Sequence, residues 1–314
     1  MEYEQIYLLC FISIVIFIII IYEYNYGYKR NVYKRNVYKE KVYKEKVYLF
    51  TFCVDISRFS RKNLIRALGI LVSSLEKYLN KYELVVFTNF TIPYINDNII
   101  IKKYNSVIDD FKEDKWLNLS FNKLYTYKKL YDETFIDYTW IDLDTQISYD
   151  ISYINQLDSC FIQQGGDDIS PNVLFTNNNK INVPKNKYIQ GDFWKLNINL
   201  YYNLLDTYET IKKNNLKLRY DTQDLFNYYI HIENNIDRVY ILGYNYKEHT
   251  MNGLGIWCKD YHTHATMDGL KNLYYSDGLL YSKYYPNKEI HIVSFTFMTL
   301  QKLWNTPQFI KLFH

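Results

Sequence analysis

The chain has 314 residues, of which 48% are hydrophobic, and it carries a formal net charge of +3 at pH 7. That length allows one large α/β domain or two small ones, and that apolar fraction can fill a core. From Tyr48 onward there are 29 acidic and 29 basic residues, which argues against a nucleic-acid-binding domain. The four cysteines form no CxxC, so neither a zinc site nor a disulfide framework is indicated. No GxGxxG follows the first predicted strand and no P-loop sequence occurs, which argues against the standard dinucleotide and P-loop sites.

The amino terminus predicts a membrane anchor. After five residues, Ile6 to Tyr22 forms a run of 17 residues without a charge, at the short end of what spans a bilayer. A cleaved signal peptide is the alternative, but it needs a basic start and small residues at its cleavage site. Glu2 and Glu4 precede the run here, so an uncleaved single-pass anchor at residues 6–22 is favoured.

Residues 23–46 predict a solvated stalk. From Tyr28 to Val47 a pentapeptide occurs four times, and a period of five matches neither a helix face nor a strand face. The repeats carry eight basic and two acidic residues, a net charge of +6, which should attract anionic lipid headgroups. Because this positive charge follows the anchor, we expect the carboxy-terminal domain in the cytosol. The sequons at Asn89 and Asn118 favour a luminal domain as the alternative.

Residues 47–314 predict an α/β domain. Hydrophobic patterning gives strands at Val47 to Cys53, Glu83 to Thr88 and Asn98 to Lys102, and a helix from Leu64 to Tyr78. Alternating strands and helices form parallel sheets with crossover connections. Nucleotides bind at the carboxyl ends of such strands, so Thr51 and Thr88 are candidate contacts to a nucleotide.

The most informative stretch is YTWIDLDTQIS, Tyr138 to Ser148, which holds the only DxD of the chain. Aromatic and β-branched residues lead into Asp142 and Asp144, so a buried strand is predicted to end in two carboxylates. Residues two apart in a strand can point the same way. Two such carboxylates can bind one hard divalent cation, and that cation can bridge the phosphates of a nucleotide. A solvated turn or a helix N-cap is the alternative.

At these residues the chain resembles the GT-A glycosyltransferases. In that family the DxD ends a central strand and holds Mn²⁺ or Mg²⁺ against the diphosphate of a sugar donor. The resemblance implies a mixed, mainly parallel sheet flanked by helices over residues 47–314. It also implies a UDP- or GDP-sugar donor and a glycan, protein or lipid acceptor. By this resemblance Asp142 and Asp144 are metal ligands, and Asp142 also contacts the donor.

Two flanking segments extend the resemblance. A helix from Ser120 to Glu133, with Ser120 as its N-cap, precedes the DxD strand. Such a helix presents a basic residue to the donor in many GT-A enzymes, which implies this role for Lys123; a solvated lysine is the alternative. Tyr188 to Leu196 resembles the floor of the acceptor pocket, although Gly191 is its only glycine. There Trp194, or its neighbour Phe193, could stack on a sugar, and Asp192 could accept hydrogen bonds from hydroxyl groups. A core strand is the alternative.

The segment Asp221 to Asn227 resembles the DQDxLN pattern of several glycosyltransferase families, with Thr222 and Phe226 as departures. The resemblance implies that Asp224 is a catalytic carboxylate and that Gln223 contacts the acceptor. Acidic residues placed near a helix amino terminus for its dipole are the alternative.

Near the carboxyl terminus, His262 and His264 precede Gly269 and Lys271. The resemblance implies His264, or else His262, as a further metal ligand and Lys271 as a phosphate contact. Imidazole nitrogen is a suitable ligand for such a metal beside carboxylates. A histidine pair on a solvated loop is the alternative.

The sequence therefore predicts a membrane-anchored, metal-dependent glycosyltransferase. Two other functions stay open. One is a catalytically inactive sugar-binding or structural membrane protein that keeps the GT-A-like fold. The other is a metal-dependent phosphohydrolase or nucleotidyltransferase, which would call for further acidic ligands. The sugar, the acceptor, the stereochemical outcome and the oligomeric state do not follow from the sequence.

Overall fold

The structure is a computed structural model that describes residues 46–106, 115–163, 171–173, 181–184, 187–218, 222–242, 254–257, 273–283, 285–295 and 297–313. The helices are α1 (Arg61–Tyr78), α2 (Lys115–Thr134), α3 (Ile198–Lys213), α4 (Thr222–Asn227), α5 (Phe297–Leu303) and α6 (Pro307–Phe313). The strands are β1 (Val47–Cys53), β2 (Tyr82–Thr88), β3 (Ile99–Lys103), β4 (Thr139–Ile141), β5 (Thr145–Ile147), β6 (Cys160–Gln163), β7 (Pro171–Val173), β8 (Asn182–Pro184), β9 (Ile189–Lys195), β10 (Tyr240–Leu242), β11 (Leu254–Trp257), β12 (Leu273–Ser276), β13 (Leu279–Ser282) and β14 (Tyr285–Ser294).

A seven-stranded sheet in the order β10-β6-β9-β4-β1-β2-β3 forms the centre of the fold. All its pairings are parallel except the two made by β9, which runs antiparallel to β4 and to β6. The central strands are buried on both faces, which suits the continuous apolar sequence of β1 and β2. The expected mixed, mainly parallel α/β sheet is confirmed.

Helices cover both faces of this sheet. On one face, α2 and α3 bury aromatic and leucine side chains against Phe50, Trp140 and Trp194. On the other, α1 buries a leucine-rich stripe, and the Ser74 hydroxyl lies 3.4 Å from the Ile147 backbone nitrogen in β5. Apolar residues at intervals of three and four explain this burial.

The first three predicted strands and the first helix are confirmed, with small shifts at their ends. Helix α1 begins at Arg61, because Ser60 serves as its N-cap and its hydroxyl accepts from the Asn63 backbone nitrogen. The predicted N-cap at Ser120 is wrong. Helix α2 already contains Lys115, and Ser120 is buried in its interior, because apolar periodicity reaches back one turn to the partly buried Leu117.

A smaller sheet in the order β11-β14-β13-β12, with β5 paired to β14, adjoins the carboxyl end of β4. The chain passes from the larger sheet to the smaller one between Asp142 and Thr145. The backbone nitrogen of Thr145 donates to the carbonyl of Asp142 at 3.0 Å and closes a tight turn. The DxD therefore occupies the junction of the two sheets.

The predicted anchor and all of the predicted stalk except Lys46 lie outside the described residues. Within the described ranges, no helix combines the length and apolar character that a bilayer crossing requires. The two sequons differ in exposure: Asn118 is buried in α2, whereas Asn89 is exposed. The side-chain amide of Asn89 nevertheless makes two hydrogen bonds with the backbone of Asp55.

Candidate functional site

Two carboxylates face each other across the antiparallel pair β4 and β9. Trp140 opposes Trp194 and Ile141 opposes Phe193, and continuing this register places Asp142 opposite Asp192. The Asp142 backbone nitrogen donates to the Asp192 carbonyl at 2.9 Å, so the pairing continues one step past the end of β4. Like charges directly opposite each other in a sheet repel, so this arrangement calls for a cation.

Asp144 completes the acidic group, which we call the carboxylate cluster: Asp142, Asp144 and Asp192. The end of β14 holds two of its members. The Ser294 hydroxyl donates to Asp192 Oδ2 at 2.8 Å, and the Phe295 backbone nitrogen donates to the Asp144 carbonyl at 3.0 Å. Ser294 Oγ also lies 2.9 Å from Thr145 Oγ1. The cluster thus joins β4, β9 and the smaller sheet.

Lys123 supplies positive charge to this cluster. Its Nζ lies 3.0 Å from Asp142 Oδ1 and 3.4 Å from Oδ2, and 4.5 Å from the centre of the Trp140 ring. Only 12% of the Lys123 side chain is exposed. Helix α2 delivers this lysine because its neighbours Phe121 and Leu124 are buried against the sheet. The structure thus pairs the nominated basic residue with the first carboxylate of the DxD.

Burial first, and mutual repulsion second, raise the pKa values of two carboxyl groups in the cluster. Burial, and next the charge of Asp142, raise the pKa of Asp192 to about 8, against the opposing effects of Lys123 and of Ser294. Burial, followed by the charges of Asp142 and Asp192, also raises the pKa of Asp144 well above its usual range. A group of carboxylates that resists full ionisation is suited to accept a cation.

These shifts predict that the chelator-treated protein loses stability as the pH rises. In the unfolded chain Asp192 ionises near pH 4, whereas in the folded chain it keeps its proton up to about pH 8. Its contribution is therefore intact below about pH 4 and is lost as the pH approaches 8. Thermal unfolding in EDTA at pH 5 and pH 8 should show a lower melting temperature at pH 8. Asp192→Asn should reduce that difference, and the exposed Asp206→Asn should leave it unchanged.

The carboxylate cluster fits a hard divalent cation in part. Carboxylate oxygens are the ligands that Mg²⁺ and Mn²⁺ prefer, and Mg²⁺ is typically held by one or two of them together with substrate phosphates. Among the described residues there is no group of three or more His, Cys, Asp or Glu side chains placed to hold a metal. If a cation binds at this position, Asp142 and Asp144 would supply two carboxylate ligands, and phosphate oxygens and water would complete the coordination.

The second motif, in α4, is fastened to the beginning of β9. Asn227 accepts from the Ile189 backbone nitrogen at 2.9 Å and donates to the Ile189 carbonyl at 2.8 Å. Gln223 donates to the side chain of Gln190 at 2.9 Å. Asp224 is fully buried, and the Tyr188 hydroxyl lies 3.5 Å from its Oδ1. The nominated Asp224 and Gln223 thus sit against the strand that carries Asp192.

Close packing at Gly191 predicts a destabilising substitution. A Cβ at this position would lie 2.9 Å from Gln223 Cγ, so Gly191→Ala should cost about 1–3 kcal/mol of unfolding free energy. In a Gln223→Ala background the obstructing atom is gone, and the cost should fall by at least half. Urea unfolding measures all four proteins of the cycle. Gly69→Ala is the control: nothing lies within 4 Å of its Cβ, so this helical change should be neutral or stabilising.

The structure resolves the alternatives left for the segment Tyr188 to Leu196 in favour of a core strand. Trp194 is fully buried, stacked at 6.1 Å on Trp140 and edge-on to Phe50 and Phe226. The nominated Trp194 therefore has no exposed face on which a sugar could stack. Phe193 is also fully buried. Of the side chains nominated in this segment, only Asp192 belongs to the carboxylate cluster.

The two nominated threonines occupy different positions. Thr51 is fully buried within β1. Thr88 ends β2. Its hydroxyl donates a hydrogen bond to the Phe90 carbonyl and accepts one from the Phe90 backbone nitrogen. Beside it, Asn89 bonds to both backbone groups of Asp55 and thereby joins the carboxyl ends of β1 and β2. Sequence reasoning had no signal for this Asn89 bridge, because it joins residues 34 positions apart.

Three nominated residues, His262, His264 and Lys271, lie outside the described residues, so the structure does not test their roles. The chain enters this segment from β11, whose last residue, Trp257, pairs with Ser294. Ser294 also contacts Asp192, so the end of β11 pairs with a strand that reaches the carboxylate cluster. Ser294 itself was missed, because a serine that ends a strand carries no distinguishing sequence pattern.

The described site thus gathers Lys123, Asp142, Asp144, Asp192 and Ser294 at the carboxyl end of the central strands. No protein-family model matches this chain, and none of the curated proteins matches it significantly. Its function is therefore inferred from the chemistry of these side chains and from the sheet that carries them.

Proposed function

We propose that the protein is a metal-dependent GT-A glycosyltransferase that moves a sugar from a nucleoside-diphosphate sugar to an acceptor hydroxyl group. The single observation that carries this proposal is the position of Asp142 and Asp144, at the end of a buried central strand in a mixed, mainly parallel sheet. A carboxylate of a neighbouring strand, Asp192, and a lysine, Lys123, lie beside them. Ligands of open α/β sheets bind at such strand ends.

The proposed reaction needs three things from the protein. Asp142 and Asp144 would hold Mn²⁺ or Mg²⁺, and such a cation would offset the negative charge of the departing nucleoside diphosphate. Lys123 adds positive charge on the same side. Asp192, on the neighbouring strand, could accept a proton at an Oδ atom as the acceptor hydroxyl reacts.

The hydrogen bonds between α4 and β9 also support the proposal. Catalysis by positioning requires that reacting groups are held to within fractions of an ångström. Asn227 bonds to Ile189, three residues before Asp192, and Gln223 bonds to Gln190, two residues before it. In this proposal α4 orients the strand that bears Asp192.

The proposal is tested by incubating the protein with a panel of UDP- and GDP-sugars, with Mn²⁺ or with EDTA, and measuring release of nucleoside diphosphate. Mn²⁺-dependent release from one donor supports it. Release of inorganic phosphate or pyrophosphate would instead indicate a phosphohydrolase or a nucleotidyltransferase. No turnover and no nucleotide binding in Mn²⁺ would favour an inactive protein that keeps the fold.

A further inference from the structure

The ammonium group of Lys123 lies against the carboxylate oxygens of Asp142, where a bound metal ion would be expected. It straddles both carboxylate oxygens of Asp142, at 3.0 Å and 3.4 Å, and the Trp140 ring lies 4.5 Å from it. A carboxylate and the face of an aromatic ring both attract a cation. Lys123 therefore sits in a preformed cation position of its own.

A divalent cation bound to Asp142 would compete with the Lys123 ammonium group for the same carboxylate oxygens. Such cations bind at roughly 2.0–2.6 Å from carboxylate oxygens, so one held by Asp142 would lie within a few ångströms of the ammonium group. Lys123 is only 12% exposed and Asp142 only 22%, so water screens their charges poorly. The ammonium group and a divalent cation therefore repel each other strongly if both stay on Asp142.

We propose that Lys123 is an internal counter-cation that is displaced from Asp142 when the divalent metal binds, and that it then becomes available to the donor's diphosphate. This inference rests on the proposed function, because it concerns regulation of the same site. Before metal binds, Lys123 balances the negative charge of Asp142. Afterwards the flexible lysine side chain can turn toward a second negative group.

The proposal predicts opposite effects of one substitution on two ligands. Lys123→Gln removes the competing charge, so the dissociation constant for Mn²⁺ should fall about tenfold, which corresponds to ~1.4 kcal/mol. The same change removes a positive charge from the diphosphate position. The dissociation constant for UDP in saturating Mn²⁺ should therefore rise about tenfold. A lysine with a purely structural role would not move the two affinities in opposite directions.

The experiment uses the full chain in detergent. Free Mn²⁺ is followed by electron paramagnetic resonance during titration, and UDP binding is measured by calorimetry in saturating Mn²⁺. Lys123→Met is a second variant, because it keeps the apolar contact with Trp140 should Lys123→Gln fail to fold. Lys128→Gln is the matched control: it removes one charge from the same helix, where Lys128 pairs with Asp132.

The expected result is tighter Mn²⁺ binding and weaker UDP binding in both Lys123 variants, with wild-type values for Lys128→Gln. Unchanged or weaker Mn²⁺ binding in the Lys123 variants overturns the inference and leaves the proposed function intact. Absence of Mn²⁺ binding in every protein at millimolar concentration overturns the inference together with the proposed metal dependence. If the affinities for Mn²⁺ and UDP change as expected but no sugar donor is turned over, the inference is supported and the proposed activity is overturned.

Discussion

Replacing Asp144 by Asn should lower Mn²⁺-dependent release of nucleoside diphosphate by at least about 10³-fold, or ~4 kcal/mol of transition-state stabilisation. Asn keeps the size of the side chain but removes the negative charge that a hard cation requires. The measurement is single-turnover release from whichever UDP- or GDP-sugar the wild-type protein uses.

The matched control for this change is Asp206→Asn, which removes one carboxylate from the exposed side of α3. It should retain wild-type turnover. Circular dichroism and melting temperature establish that Asp144→Asn is folded; relief of repulsion in the cluster should even raise its stability in EDTA. A folded Asp144→Asn protein with more than about a tenth of wild-type turnover would contradict the assignment of Asp144 as a metal ligand.

Replacing Trp194 by Ala should cost about 3–5 kcal/mol of unfolding free energy. Trp194 is fully buried and its ring contacts those of Phe50, Tyr127, Trp140 and Phe226, so no neighbour can fill the resulting cavity without leaving its own contacts. Urea unfolding followed by circular dichroism at 222 nm measures the loss. Trp194→Phe should cost roughly half as much, because it keeps part of the aromatic volume.

Tyr202→Ala is the control for the tryptophan, since that ring is 50% exposed on α3. It should change the unfolding free energy by less than about 0.5 kcal/mol. If Trp194→Ala were as stable as wild type and lost only affinity for the acceptor, the ring would be a sugar platform and the core assignment would fail.

The DxD shows which features of the fold the local sequence pattern can predict. Apolar residues before Asp142 and polar ones after it predicted a buried strand that ends there, and β4 ends at Ile141 as expected. Pattern could not reveal that the chain changes sheets within the motif, because β5 pairs with β14, a strand almost 150 residues away. Nor could it place Asp192 opposite Asp142, because cross-strand register depends on the antiparallel entry of β9.

Trp194 and Ser120 show the opposite limit. An aromatic residue such as Trp194, three positions after Gly191, suits either a sugar-binding surface or a core strand. Only its burial against α2 and α3 decides between the two. Serine is favoured both as a helix N-cap and in solvent, and here the packing of Phe121 and its neighbours extended α2 past the predicted start. In both cases contacts with distant segments outweighed a local preference.

The α/β class, the positions of the first strands and of α1, and the two carboxylates at the end of β4 follow from the amino-acid sequence alone. These features depend on side-chain periodicity and on burial of neighbouring residues, which the chain carries locally. The contacts of Lys123, Asp192 and Ser294 with those carboxylates, and the burial of Trp194 in the core, emerge only in the folded chain. Strand register and the balance of charge in the cluster depend on hydrogen bonds and electrostatic repulsion between segments that are far apart in the sequence.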